Sequence, residues 1–308
     1  MATTITRGFH PGELAIQERA GVSQDAARLA GMLGAPRLEG GLARFLTEIR
    51  FAAITGRDDT GRLWTSLLTG APGFIRVDGG SLAVATNPDP TGPLARLQPG
   101  SEVALIAIEF GIRRRARING TLTAVGRDGC TIEVDQAFGN CPAYIQQRGL
   151  DVDDSRPKPA PTTETTTLDT ELTSRQIDMV RAADTFFLGT AHPTRGMDTS
   201  HKGGRPGFVR VEPDGSVWWP DYAGNNMFNS LGNIAESPEA ALLFVDFERG
   251  SALAVSGRAE VTWVPAGSPG DDGGTGRRVV LRPERVTESA LPLRGTDPQP
   301  SPDNPELR

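Results

Sequence analysis

The chain has 308 residues, a net charge of −6 and 23% charged residues, which suits two domains of ordinary size, each with its own core. That balance argues against nucleic acid or an anionic membrane as partner, and the longest apolar runs, such as AALLFVDF, are too short to span a bilayer. Two cysteines (Cys130, Cys141), three histidines (His10, His192, His201) and an N-terminus without an apolar signal core point to a cytoplasmic protein with neither a disulfide framework nor a metal site.

Residues 1–48 are predicted as a helical segment. SQDAARLAGML and GLARFLTEIR carry apolar residues at helical spacing, with Ser23 as a cap and Gly34 as a stop. Residues 49–150 are predicted as a first β domain, with strands in IRFAAITG, RLWTSLLT, GFIRVDGGSLAVAT, EVALIAIEF, RARINGTLTAVG and TIEVDQAF. The Arg113–Arg117 cluster reads as one edge of a solvated hairpin, and QAFGNCPAYIQQRGL as a loop leading into a short helix. Residues 151–172, rich in Pro, Thr and charge, read as a linker. The second domain, 173–265, opens with the helix TSRQIDMVRAAD, capped by Thr173 or Ser174. Strands follow in TFFLGTA, MDTSH, GFVRVEPDGSVWWP, AALLFVDF and SALAVSGRAEVTWV, with a helix in NNMFNSLGNIAES. Residues 266–308 read as a C-terminal extension whose tail, GTDPQPSPDNPELR, is expected to be disordered.

The chain says nearly the same thing twice. Residues 51–77 and 185–211, aligned without gaps, share Thr60, Thr65, Ser66, Gly70, Pro72, Gly73, Phe74, Arg76 and Val77. Further on, ALIAIEFGIRRRARINGTL (104–122) matches ALLFVDFERGSALAVSGRA (241–259). Such a duplication can fold as a built-in dimer whose interface sites are free to diverge. Each half reads as five or six antiparallel strands, which close into a barrel to remove exposed edges.

Comparing the copies locates candidate chemistry. Ser200, His201 and Lys202 precede two glycines and supply hydroxyl, imidazole, ammonium and bare backbone N–H groups, the materials of a phosphate site. The first copy keeps Ser66 but has Leu67 and Leu68 beside it. After Trp219 and Pro220, the run Gly224-Asn225-Asn226 reads as a helix entrance, with Ser230 on the helix. Only the first half carries Gly139-Asn140-Cys141-Pro142-Ala143-Tyr144 after its last strand.

SHKGGRPGFVRV, WPDYAGNN, SLGNI, the ALLF strand and VSGRA together resemble the FMN-binding split-barrel family of pyridoxamine 5′-phosphate oxidase and its relatives. The first half, with GRLWTSLLTGAPGF and QAFGNCPAYIQ, resembles a bacterial branch of the same family. The resemblance implies a mainly β chain of two split β-barrel domains paired as an intrachain pseudo-dimer, with FMN between them. It places the phosphate on Ser200, Lys202, Asn225 and Asn226, assisted by His201 and with Arg210 as further charge. Backbone near Trp219 and Pro220 would flank the ring or the ribityl chain, and Asn140 and Cys141 would reach across from the first half. Many members have Arg and Lys where Asn225 and Asn226 stand, and the C-terminal Arg/His substrate signature is missing from LRPERVTESALPLRG. The expected function is therefore an FMN-dependent oxidoreductase acting on a small molecule other than pyridoxamine phosphate. NAD(P)H or a separate reductase would supply electrons, one flavin would bind per chain, and pairing into a homodimer stays open. His201, Cys141 and Tyr144 are candidate catalytic groups only. The alternative is a flavin-, deazaflavin- or haem-binding carrier, sensor or redox partner without turnover of its own.

Overall fold

The computed structural model describes residues 8–34, 36–152 and 171–308; most of the expected linker lies outside them. The N-terminal segment is helical, with α1 (Pro11–Arg19), α2 (Ser23–Ala27) and α3 (Gly40–Glu48). Ser23 is the first residue of α2 and Val22 its cap, so the expected serine cap is not made. The first sheet holds β1 (Phe51–Arg57), β2 (Leu63–Thr69), β3 (Ile75–Asp78), β4 (Ser81–Val84), β5 (Glu102–Glu109), β6 (Arg114–Gly126) and β7 (Gly129–Asn140). The short strand β8 (Leu150–Val152) follows, in place of the expected short helix.

Helix α4 (Ser174–Ala182) opens the second half, and Thr173 caps it in a reciprocal box with Gln176. The second sheet holds β9 (Thr185–His192), β10 (Gly196–Gly203), β11 (Arg210–Val211), β12 (Val217–Pro220), then α5 (Asn229–Glu236) as an insertion, β13 (Glu239–Asp246), β14 (Ser251–Trp263) and β15 (Arg277–Ala290). Strand β16 (Leu293–Gly295) pairs with β8. The second sheet thus runs to Ala290, past the boundary expected at 265. The C-terminal tail is also ordered. Gln299 exchanges backbone hydrogen bonds with Gln147, and the Arg308 amide donates to Asp272.

Both sheets have seven antiparallel strands in one topology: β2-β1-β5-β6-β7-β4-β3 and β10-β9-β13-β14-β15-β12-β11. Even the irregularities repeat. A bulge at Asn119/Gly120 leaves Asp135 unpaired, and one at Ser256/Gly257 leaves Glu284 unpaired. The fold is mainly β, with two split barrels paired as a pseudo-dimer within one chain.

The halves share a core. Phe187, Leu243, Phe247, Ala252 and Ala254 of the second half pack with Phe51, Leu68 and Phe110 of the first. Near the pseudo-two-fold axis, Thr199 Oγ1 lies 2.7 Å from Thr55 Oγ1, which lies 3.0 Å from Thr65 Oγ1. Gly189 faces this trio, and a Cβ there would stand 2.4 Å from Thr65 Oγ1.

Candidate functional site

A cavity of about 120 Å³ lies between the halves, walled by β10 and the chain around α5 on one side and by β6 and the end of β7 on the other. Of the residues singled out in the sequence, Ser200, His201, Lys202, Asn225, Asn226 and Ser230 line it from the second half, and Asn140 and Cys141 from the first. Three do not. Arg210 is held in a bidentate ion pair by Asp272 and stacks 4.7 Å above the Trp218 ring. Trp219 is fully buried against Phe186, 5.0 Å between ring centroids, and Pro220 is buried at the strand end beside it. The chain reaches the cavity one residue later, through Asp221 and Tyr222. The helix entrance also differs from expectation. Asn226 and Phe228 both adopt left-handed backbone (φ 61° and 59°), which delays α5 to Asn229 and leaves Asn225 and Asn226 in the preceding loop.

The residues that sequence reading missed carry the most charge. Arg115 and Arg117 project from β6 into the cavity. Alternation explains it: Ala116, Ile118 and Gly120 are buried on one face of β6, so Arg115, Arg117 and Asn119 share the other. In a lone sheet that face meets water; in the pseudo-dimer it meets the second half. The solvated-edge reading fails for these two arginines. Comparing the copies held the signal, since Arg115 and Arg117 align with Ala252 and Ala254.

Most charges in the site are compensated. Arg117 Nη1 lies 2.8 Å from Asp198 Oδ1 and donates to Asn229 Oδ1 at 3.2 Å. Asp198 accepts from Ser230 Oγ at 2.6 Å, and Ser230 also reaches Ser200 Oγ at 3.0 Å. Lys202 Nζ sits 3.2 Å from Asp221, whose other oxygen accepts from Arg277. Arg115 is the exception. Its side-chain contacts are His201 Nδ1 at 2.6 Å and the His201 carbonyl at 3.4 Å, with no carboxylate partner among the described residues. Burial, and then the neighbouring Arg117, push the Arg115 guanidinium down to about 10, so it remains charged at neutral pH.

His201 is buried between the rings of Phe110 and Phe187, and burial followed by Arg115 holds it well below its ordinary value. Arginine can only donate. Nδ1 of the neutral ring therefore accepts, and its proton sits on Nε2, which is buried without a partner. Asn140 Oδ1 is likewise buried and unpartnered. Cys141 is exposed, and its Sγ accepts only from the Ala143 amide at 3.5 Å. Tyr144 donates its hydroxyl to the Ala223 carbonyl at 2.8 Å.

The pseudo-two-fold equivalent of this cavity is filled. Leu68, Ala252 and Ala254, at the positions matching Lys202, Arg115 and Arg117, lie buried in one apolar cluster, with Leu67, the match of His201, packed against it.

No family model and no curated protein sequence matches the chain. Solved structures do. A putative pyridoxamine 5′-phosphate oxidase from Lactobacillus delbrueckii is 18% identical with a TM-score of 0.32, covering 39% of this chain and 97% of that one. HupZ from Group A Streptococcus is 17% identical (TM-score 0.31; 38% and 98%). The haem storage protein HutZ from Vibrio cholerae is 13% identical (TM-score 0.28; 39% and 97%). Each spans less than half of this chain. The chain resembles the pyridoxamine 5′-phosphate oxidase-like split-barrel family, with that domain present twice.

Proposed function

We propose that the chain is a flavin-dependent oxidoreductase that binds one FMN in the cavity between its halves and acts on a small molecule. The observation that carries this reading is Arg115, a half-buried guanidinium without a counter-ion among the described residues, beside a second guanidinium and opposite Lys202. An uncompensated buried charge is costly, and an anionic ligand removes the cost. The donor set fits the phosphate end of a flavin mononucleotide; the cavity, about 120 Å³ and open on one side, would take that end, with the ring extending beyond these walls. Strand β10, bearing Ser200 and Lys202, with Arg115 opposite, would hold the phosphate. Asn140 and Cys141, on the first-half wall of the cavity, would face the flavin from the other side. When bound, the isoalloxazine supplies hydride or electron transfer, and the protein supplies position and electrostatics.

His201 favours flavin over haem. Its Nδ1 is taken by Arg115 and its protonated Nε2 is buried, so neither ring nitrogen stands open to a metal. His192 is elsewhere, 4.3 Å from the ring of His10.

The test is FMN binding followed by quenching of flavin fluorescence. Wild-type chain is expected to saturate and to turn yellow. Arg115→Ala should weaken binding by about ten- to a hundredfold, the loss of a charge-assisted contact. Arg210→Ala should leave it unchanged. A chain that never quenches FMN, or one in which Arg210→Ala is the damaging change, overturns the proposal.

A further inference from the structure

A second cavity, about 630 Å³, lies beside the first. The two share Asn229, and the Arg117–Asp198 pair stands between them, Arg117 facing one and Asp198 the other. Its walls are α1, the β9–β10 turn, and β5, β6 and β7 of the first half. From the sheet come Glu102, Glu133 and Asp135. The bulge explains how Asp135 and Gln136, neighbours in sequence, both line the cavity with Glu133.

The buried side-chain atoms left without a hydrogen bond on this lining are all acceptors. None of the three carboxylates has an ion-pair or hydrogen-bond partner among the described residues. Asp135 is raised by burial and then by Glu133 and Glu102, which places three like charges close together. His10, 5% exposed, gives its Nε2 to Asn233 Oδ1 at 3.1 Å; the Asn233 amide nitrogen faces Thr190, so Asn233 accepts and the His10 proton is on Nε2. Nδ1 of His10 is then a buried acceptor without a donor, as is Asn119 Oδ1. Arg195 also lines the cavity; it donates to the Gly8 carbonyl at 3.2 Å and has no ion pair among the described residues, so one fixed positive charge stands against the three carboxylates.

The other half shows what these positions hold. Its equivalent cavity is lined by Glu239, at the position of Glu102, and by Glu284, the bulge residue matching Asp135. There both carboxylates are occupied by guanidinium groups from across the pseudo-dimer. Arg57 forks Glu239 at 3.0 and 2.7 Å, and Arg62 binds Glu284 at 2.7 Å. The matching residues on the second half are Ala191 and Gly196. Arg57 is within electrostatic reach of Glu102, but its fork is committed to Glu239.

We propose that this second cavity binds a small organic cation, a guanidinium or primary amine compound, through Glu102, Asp135 and His10 Nδ1. A guanidinium is all donors and no acceptor, the complement of this lining, and the paired copy already shows a guanidinium on the equivalent acids. Cation binding does not require the flavin. That the cation is the substrate of the adjacent site rests on the function proposed above.

The experiment is calorimetric titration of the full chain, without flavin and at physiological ionic strength, with butylguanidinium and, separately, with pentanoate. Butylguanidinium is expected to saturate one site per chain and pentanoate to give no binding. The Glu102→Gln/Asp135→Asn double variant, which changes a solvent-accessible wall and keeps side-chain shape, should weaken butylguanidinium tenfold or more. No saturable binding up to about 10 mM, or equal binding by wild type and double variant, overturns the proposal. A chain that binds butylguanidinium but never FMN upholds this site and rejects the flavin reading alone.

Discussion

At the scale of the residue, the His10–Glu13 pair sets up an opposed pair of titrations. Burial pushes Glu13 up to about 7 from its ordinary 4.5. The stability it contributes is complete below pH 4.5 and is lost as pH rises through about 7. Burial, with His192 adding to it, pushes His10 down to about 4 from 6.5. Its contribution is complete above pH 6.5 and is lost as pH falls through about 4. Between pH 4.5 and 6.5 the two slopes oppose, so the wild-type chain should show nearly flat stability there. Glu13→Gln keeps an acceptor for the His10 amide and removes one slope. The variant should lose stability on acidification from pH 6.5 toward 4, and exceed wild type above pH 7 by on the order of 3 kcal/mol. Urea denaturation across that range checks it; parallel pH profiles would refute the assignment. Arg115 teaches the complementary lesson. Its charge was obvious in the sequence, but its direction depended on which face of β6 the second half covers.

At the scale of the element, the duplicated strands were legible because period-two patterning and turn residues recur at matching positions in both copies. The repeat survives in the bulges at Asn119 and Ser256. Helix α5 was legible from Met227, Leu231 and Ile234, all of them buried. Its start was not, because left-handed Asn226 and Phe228 lie outside propensity rules. The C-terminal tail misled for another reason. Its composition is that of a disordered segment, yet long-range backbone pairing between Gln147 and Gln299 holds it, and composition carries no information about such partners. The packing of β9 against the first half depends on Gly189, whose absent side chain admits Thr65 and Thr55. Gly189→Ala should therefore destabilise the chain by about 1–3 kcal/mol through overpacking. A midpoint of urea denaturation equal to wild type would show that this contact is not tight.

At the scale of the whole molecule, duplication let two equivalent interface positions part ways. One kept Arg115, Arg117, Ser200, His201 and Lys202; the other became an apolar seam of Leu67, Leu68, Ala252 and Ala254 joined to the common core. The second pair of cavities diverged as well, one with its acids paired by Arg57 and Arg62, the other with Glu102 and Asp135 left unpaired among the described residues. The halves are thus unequal by exchange of charge for apolar contact, while strand order is unchanged. No helix among the described residues is long and apolar enough to cross a membrane. The most direct measurement of the central claim is the stoichiometry of FMN on the full chain, followed by fluorescence quenching at chain concentrations well above the dissociation constant. The account predicts a break at one flavin per chain, abolished by Arg115→Ala together with Lys202→Ala and unaffected by Ser66→Ala. A break at two flavins per chain, or one removed by Ser66→Ala, would contradict it.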